Sequence, residues 1–236
     1  MDAEQQFSQI ASLIGEPARA KILWNLLDGR AFTATELSLV ADVSPQSASM
    51  HLSRLTEANL LAVERQGRHR YYKFANAEVA AAVEAIANLL PPGKPTRPDT
   101  IPGNGHIQYC RSCYDHLAGK IGVAITDRLL HNKLIAMARS GAGGAAGDEY
   151  EVTTAGRKWF AGLGIGIEEL QARRRVFSRP CLDWSERRHH MAGSLGAALL
   201  EKMLQEDWIR TTRNSRALLV TGKGEKKLQE SLGLRI

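Results

Sequence analysis

The sequence lacks a long hydrophobic run. Its 236 residues contain no stretch near the roughly 18 consecutive apolar residues that cross a bilayer, so we expect no contact with a membrane. The first residues, MDAEQQ, are polar and acidic, unlike the start of a secretory signal. Only three cysteines are present, so a disulfide framework is not expected. Together these features predict a cytoplasmic protein in a reducing environment.

Positive charge is modest and unevenly distributed. The net charge of +6 favours an anionic partner. Residues 1–92 nevertheless contain 8 Lys and Arg against 10 Asp and Glu, whereas residues 93–236 contain 23 against 15. Function must therefore be inferred from local patterns and not from the overall charge.

A segment rich in proline and glycine divides the chain. Residues 90–103 contain five prolines and two glycines, a composition that sustains neither a helix nor a central strand. We predict an N-terminal domain at residues 1–92, a linker at 93–105 and a C-terminal domain at 106–236. A glycine-rich stretch at residues 140–147 predicts a hairpin loop.

Helical periodicity and turn residues alternate in the first domain. Ser44 is placed to cap a helix whose first position is Pro45, where a missing N–H has no cost. Thr33 or Thr35 is placed to cap the helix before it. The patterns predict two helices, a helix-turn-helix, a β-hairpin and a final helix, at residues 7–14, 18–27, 37–41, 44–58, 61–74 and 77–90.

Three segments of this domain resemble ArsR-type winged-helix repressors. Residues 15–23 are similar to the opening of that family, residues 35–37 with 43–55 to its helix-turn-helix, and residues 67–72 to its wing. The resemblance implies a transcriptional regulator, specifically a dimeric repressor that leaves operator DNA when a small effector binds. It also implies that the first and last helices of the domain pair two copies of the chain.

The helix at residues 44–58 has the two faces that a recognition helix requires. Ala48, Leu52 and Leu55 form an apolar face, and small polar and basic residues lie opposite, where they fit the major groove. The hairpin adds basic residues that suit backbone phosphates, although a solvated hairpin with ordinary charges is the alternative. The residues predicted to contact DNA are Ser44, Gln46, Ser47, Ser49, Met50, His51, Ser53, Arg54, Arg65, Arg68, His69 and Arg70.

Both well-known metal sites of the ArsR family are missing from this sequence. Residues 37–42, in the helix before the recognition helix, contain no thiol, and residues 76–90 contain no histidine. The chain is also about twice as long as a minimal member of the family. We therefore expect the C-terminal domain to contain the sensor.

The C-terminal domain contains an internal repeat. Residues 116–135 and 190–209 align with seven identities in 20 positions, and both copies lead to a Val-Thr-x-x-Gly-like sequence, at 152–156 and 220–224. We predict two helix–hairpin–helix units that resemble the back half of a winged helix and pack with pseudo-twofold symmetry. The whole chain is thus predicted to be mainly α with small β-hairpins (α+β), a winged helix-turn-helix domain followed by two winged-helix-like repeats.

Each repeat begins near a thiol and an imidazole. Symmetric packing would bring two cysteines and two histidines together, a donor set that suits zinc or another thiophilic metal ion. Three alternatives are a reversible dithiol activated by Arg111 and a helix N-terminus, an organic effector bound beside aromatic residues, and buried thiols without chemistry. The candidate effector or metal residues are Cys110, Cys113, His116, Cys181, Trp184, His189 and His190.

Two other functional classes compete with a regulator. A thiol- or metal-dependent enzyme could use the C-terminal cysteines and histidines, and an interaction module could retain the winged helix without binding DNA. The sequence contains no nucleophile–base motif and no phosphate-binding loop, and its Cys-x-x-Cys lacks a preceding βαβ pattern. We therefore predict a DNA-binding regulator that is not an enzyme.

Overall fold

Two units, Met1–Leu89 and Leu90–Ile236, make up the chain in the computed structural model. The structure describes residues 2–89, 106–138, 149–212 and 215–236. The predicted linker at 93–105 and the predicted loop at 140–147 lie outside these residues. Among the helices within them, none is both long enough and apolar enough to cross a membrane.

The N-terminal unit has the predicted order of elements and one additional strand. Strand β1 pairs antiparallel with β3, and β3 pairs with β2, so the hairpin belongs to a three-stranded sheet. A two-residue strand is too short to show an alternating pattern in the sequence. The elements are α1 (Ala3–Gly15), α2 (Pro17–Leu26), β1 (Phe32–Thr33), α3 (Ala34–Ala41), α4 (Pro45–Glu57), β2 (Leu61–Gln66), β3 (His69–Phe74) and α5 (Ala77–Ala87).

Local side-chain contacts set the boundaries of the helix-turn-helix. Thr33, and not Thr35, caps α3 through a reciprocal capping box with Glu36. Asp42 ends α3 in the left-handed conformation, with a φ of 58°. The hydroxyl of Ser44 then accepts a hydrogen bond of 3.2 Å from the backbone N–H of Ser47, which starts α4. Both the turn and the start of the recognition helix are therefore encoded locally.

The core of the N-terminal unit joins α2, α3 and α4. Ile22, Leu37, Leu52 and Leu55 are fully buried. Burying one such side chain stabilises a fold by about 1.5–3 kcal/mol. This packing fixes α4 on one side and leaves its other face to the solvent.

The C-terminal unit consists of two copies of hairpin, helix, hairpin, helix. The prediction of helix–hairpin–helix units omitted the hairpin that opens each copy. The first copy comprises β4 (Arg111–Cys113), β5 (His116–Ala118), α6 (Gly119–His131), β6 (Ile135–Ala138), β7 (Glu149–Val152) and α7 (Thr154–Gly162). A short helix, α8 (Ile167–Gln171), precedes the second copy of β8 (Arg179–Leu182), β9 (His189–Ala192), α9 (Gly193–Gln205), β10 (Ile209–Thr211), β11 (Leu218–Val220) and α10 (Gly222–Leu232).

Glycines at matching positions of α6 and α9 have a role that the sequence did not reveal. A Cβ atom on Gly122 would lie 2.6 Å from the carbonyl oxygen of Leu117, and one on Gly196 would lie 2.3 Å from that of Met191. The same Cβ on Gly196 would lie 3.2 Å from the Cβ of His116, in the other repeat. These glycines let each helix approach its own hairpin and a histidine of the opposite repeat.

The Thr-x-x-Gly sequences start the last helix of each repeat. Thr153 and Thr221 each accept a hydrogen bond of 3.0 Å from the N–H of the glycine three residues later, Gly156 and Gly224. Gly224 is required for a second reason, since a Cβ there would lie 2.0 Å from the carbonyl oxygen of Trp208. The repeated sequence therefore encodes a helix cap together with a close backbone contact.

We predict that Gly224→Ala destabilises the protein, whereas Gly222→Ala in the same helical turn does not. The first substitution forces a methyl group into the backbone at Trp208 and should lower the free energy of unfolding by at least about 1–3 kcal/mol. The second meets no atom within 4 Å. Urea unfolding of both variants measures the difference, and equal stabilities would contradict the packing described here.

Candidate DNA-binding surface and Cys/His centre

Helix α4 presents an exposed polar face. Its apolar residues Ala48, Leu52 and Leu55 are fully buried, whereas the side chain of Met50 is 48% exposed. The exposed residues on the opposite face are Gln46, Ser49, Met50, Ser53 and Arg54. The predicted division of this helix into two faces agrees with the structure.

Two of the residues predicted to contact DNA already have partners within the protein. The hydroxyl of Ser53 is exposed but donates a hydrogen bond of 2.8 Å to Glu57. His51 is only 8% exposed, and its Nδ1 lies 3.5 Å from Glu16 Oε2 and 3.5 Å from Arg19 Nη1. The expected contact of His51 with DNA does not fit this position, because its ring packs against the start of α2.

The wing, which is the β2–β3 hairpin, concentrates positive charge. Arg65 and Arg70 are directly opposite each other on the two strands, and Arg68 lies in the turn between them. In the part of the chain that the structure describes, none of the three forms an ion pair. Lys73 differs, because its Nζ lies 2.8 Å from Glu64 Oε2. Like charges placed opposite each other repel, so the hairpin favours a bound anion.

Two hairpins of the C-terminal unit bring four metal-ligating side chains together. Cys113 is the cross-strand partner of His116 in β4–β5, and Cys181 is the partner of His190 in β8–β9. One donor atom from each residue lies within 4.8 Å of the other three, and the two histidine Nε2 atoms are 3.2 Å apart. We call this group the Cys/His centre. Its histidines are buried and its cysteines are half-buried thiols.

A carboxylate faces the outer nitrogen of each histidine in the Cys/His centre. His116 Nδ1 lies 3.2 Å from Asp115 Oδ1, and His190 Nδ1 lies 3.1 Å from Asp183 Oδ2. Asp115 also pairs with Arg175. Sequence reasoning did not identify these carboxylates, and the only available signal was an aspartate that follows each cysteine by two residues.

Asp183 is part of a buried polar network. Its Oδ2 lies 2.9 Å from Arg111 Nη2 and accepts a hydrogen bond of 2.7 Å from the N–H of Gly119, while its Oδ1 accepts one of 2.7 Å from the hydroxyl of Ser185. Burial opposes its ionisation, but the contact with His190 and the charge of Arg111 prevail and lower the pKa of Asp183. Burial likewise opposes the charged form of His190, yet its contacts with Asp183 and Cys113 raise the pKa of that imidazole.

Three of the predicted effector residues stay outside the Cys/His centre. Cys110 lies in the hydrophobic core, and burial raises the pKa of its thiol to about 12. An activated dithiol requires a lowered thiol pKa, so the raised pKa of Cys110 argues against one. Cys113 also lies on a strand and not at a helix N-terminus. The ring of Trp184 packs 4.8 Å from the guanidinium of Arg111. His189 is exposed, because successive residues of a strand point to opposite faces.

Comparison with known proteins identifies the family. A helix-turn-helix domain family, HTH_20, matches residues 14–64. Over 229 residues the chain is 39% identical to YdfF of Bacillus subtilis (strain 168), described as an uncharacterized HTH-type transcriptional regulator, and the match covers 97% of this chain and 98% of that protein. The chain belongs to the HTH-type transcriptional regulators. Its function is therefore DNA-binding regulation of transcription, as the sequence predicted.

Solved structures resemble part of this HTH-type regulator. The homodimeric winged helix-turn-helix domain of Mb0332 from Mycobacterium bovis is 22% identical, with a TM-score of 0.33, over 35% of this chain and 76% of that chain. HlyU from Vibrio cholerae N16961 is 24% identical, with a TM-score of 0.34, over 38% of this chain and 97% of that chain.

We predict that Arg111→Met destabilises this regulator far more than Arg188→Met. The first substitution leaves the buried carboxylate of Asp183 without its cationic partner, which costs about 3–5 kcal/mol. The second removes an exposed ion pair with Asp127, which contributes about 1 kcal/mol or less. Urea unfolding compares the two, and similar losses would show that the buried pair is not a structural centre of the unit.

Proposed function

We propose that this regulator binds operator DNA as a homodimer and represses transcription until an effector binds its C-terminal unit. The observation that carries the proposal is the exposed polar face of α4 beside a wing whose arginines have no carboxylate partner among the described residues. That combination provides base-reading groups and phosphate-binding groups together.

The residues of α4 divide the recognition of a duplex between them. Gln46 can form two hydrogen bonds with an adenine edge, and Met50 can contact a thymine methyl group. Ser49 and Arg54 extend the same face toward bases or phosphates. Ser44 and Ser47 lie at the N-terminal end of the helix, where backbone N–H groups favour a phosphate.

The wing supplies contacts that do not depend on base sequence. Arg65, Arg68, His69 and Arg70 are exposed and lie within six residues of one hairpin. The charges of the three arginines suit the sugar–phosphate backbone, and each neutralised phosphate contributes to the salt dependence of binding. The wing therefore holds the duplex while α4 selects its sequence.

A second copy of this chain is the proposed partner of α1 and α5. Phe7 on α1 is 76% exposed, and Ile86 on α5 and Leu89 just beyond it are 45% and 82% exposed. Ala80 and Val83, two other apolar residues of α5, are buried within the unit itself. Pairing through the remaining apolar side chains would place two recognition helices on a pseudo-palindromic operator.

The C-terminal unit is the proposed effector-binding part. The resemblance to ArsR-type repressors implies release of DNA by an effector, while the family's usual metal ligands are absent from α3 and α5. A thiophilic metal ion at the Cys/His centre is the effector class that its side chains favour. An effector that binds one state of the dimer better than the other shifts the population between them.

We predict that Arg68→Ala with Arg70→Ala weakens binding to every DNA sequence. Removing two phosphate contacts should lower the slope of log affinity against log salt by about 2. Gln46→Ala should instead change the preferred sequence and leave the salt slope intact. Fluorescence anisotropy with a promoter fragment and a random duplex measures both effects, and Lys226→Ala in α10 is the control for loss of an exposed charge. A wild-type protein without preference for any promoter fragment would refute the proposal.

We predict that Ile86→Glu yields a monomer with weak operator affinity. Symmetric pairing would bring two new carboxylates together in an apolar seam, which is strongly unfavourable. Light scattering gives the oligomeric state, and Val176→Glu, at a residue 47% exposed in the C-terminal unit, is the matched control. Unchanged dimers of Ile86→Glu, or a wild-type monomer at micromolar concentration, would argue against this seam.

A further inference from the structure

The geometry points to a closed metal site between the two repeats: we propose that Cys113, His116, Cys181 and His190 together bind one zinc ion. This inference does not rest on operator binding. It rests on the donor atoms, on the spacing of the two imidazoles and on the groups behind them.

The donor atoms have the chemistry and the spacing of a tetrahedral site. Structural zinc sites take four thiolate or imidazole ligands, with Zn–S near 2.3 Å and Zn–N near 2.0–2.1 Å, which places neighbouring donors about 3.3–3.8 Å apart. Here the two Nε2 atoms are 3.2 Å apart, and all four donors lie within 4.8 Å of one another. Small movements of the half-buried cysteines would complete the coordination.

The two imidazoles face each other at a distance that suits two ligands of one metal ion. Each Nδ1 lies near a carboxylate, at 3.2 Å for Asp115 and 3.1 Å for Asp183, which favours a proton on that nitrogen. A neutral imidazole with its proton on Nδ1 has a lone pair on Nε2. The two Nε2 atoms are 3.2 Å apart, on residues that are 5% and 0% exposed, and without a metal ion this separation fits a hydrogen bond in which one Nε2–H donates to the other. A bound metal ion would take the place of that shared proton. A metal ion satisfies both imidazoles and both thiolates at once.

The carboxylates behind the histidines are themselves held in place. Asp183 is fixed by Arg111, and Asp115 is paired with Arg175. Carboxylates in this position orient metal-binding histidines and raise their basicity. Arg111 belongs to the first repeat and Asp183 to the second, so the supporting groups join the repeats as the metal would.

Four protein ligands leave no open position on the ion. A closed tetrahedral site supports a fold or senses a metal, whereas a catalytic zinc keeps one position for water or substrate. Each hairpin supplies one thiol and one imidazole, so neither repeat can complete the site alone. The ion would therefore clamp β4–β5 to β8–β9.

The test is the metal content and affinity of the full chain, measured without DNA. After zinc loading and dialysis, we expect one zinc per chain by mass spectrometry of the metal. Cobalt added to the metal-free protein should give the visible and charge-transfer bands of tetrahedral thiolate coordination. Less than half an equivalent of zinc together with a cobalt spectrum lacking thiolate bands would overturn the proposal, whether or not any variant folds.

Paired variants locate the ion. Cys113→Ser and Cys181→Ser should each lose the cobalt–thiolate bands in part, and the double variant should lose them completely. His189→Ala, next to His190 but exposed, and Cys110→Ala, a thiol outside the centre, should keep one zinc. Asp115→Asn should keep the cobalt spectrum but bind zinc about 10–100-fold more weakly, as for other positioning carboxylates. Loss of zinc from both control variants, with full retention in the double serine variant, would place the metal elsewhere.

Discussion

Arg111 and Asp183 meet at 2.9 Å with both side chains completely buried, and the centre of the C-terminal unit is arranged around this pair. Removing two charges from water is costly, and only good geometry with additional hydrogen bonds compensates for it. Ser185, the N–H of Gly119 and the carbonyl of Ile107 supply those bonds. Because one partner comes from each repeat, the two hairpins are held in a single arrangement. This arrangement of the hairpins also places His190 next to Asp183.

The two repeats supply the same pair of side chains to the Cys/His centre, but the groups behind their histidines differ. In both hairpins a cysteine is paired across the strands with a histidine. Behind His190, the carboxylate of Asp183 is fully buried, whereas behind His116 the side chain of Asp115 is 29% exposed and pairs with the partly exposed Arg175. Solvent screens the second pair more than the first. The Asp183 side of the Cys/His centre is therefore shielded from solvent, whereas the Asp115 side is partly exposed to it.

Local sequence signals made most elements of the N-terminal unit predictable. Features of the same unit that depend on contacts between distant residues were not predictable. The capping residues Thr33 and Ser44 act within three positions of themselves, so the sequence indicates where α3 and α4 begin. Strand β1 was missed because its existence depends on β3, some forty residues later. Helical periodicity predicts His51 on the DNA-facing side of α4, because periodicity cannot show that the imidazole contacts Glu16 and Arg19.

The Cys/His centre was partly predictable because the repeat was visible. Seven identities between the two copies implied symmetric packing, and the symmetry brought the matching residues His116 and His190, each with a cysteine nearby in the chain, toward one point. The opening hairpins were not predictable, since strands of three or four residues with a cysteine or a proline show no alternation. The pairing of Arg111 with Asp183, 72 positions apart, depends on the tertiary fold and has no signal in a single sequence.

The division of the four donors between two hairpins has a consequence for how such a site arises. A polypeptide with a single copy of the repeat would carry half a coordination shell and could complete it only by meeting a second molecule. Covalent duplication converts that bimolecular encounter into an internal one, governed by the effective concentration of the tethered halves. Occupancy of the site by an ion then becomes independent of how dilute the polypeptide is.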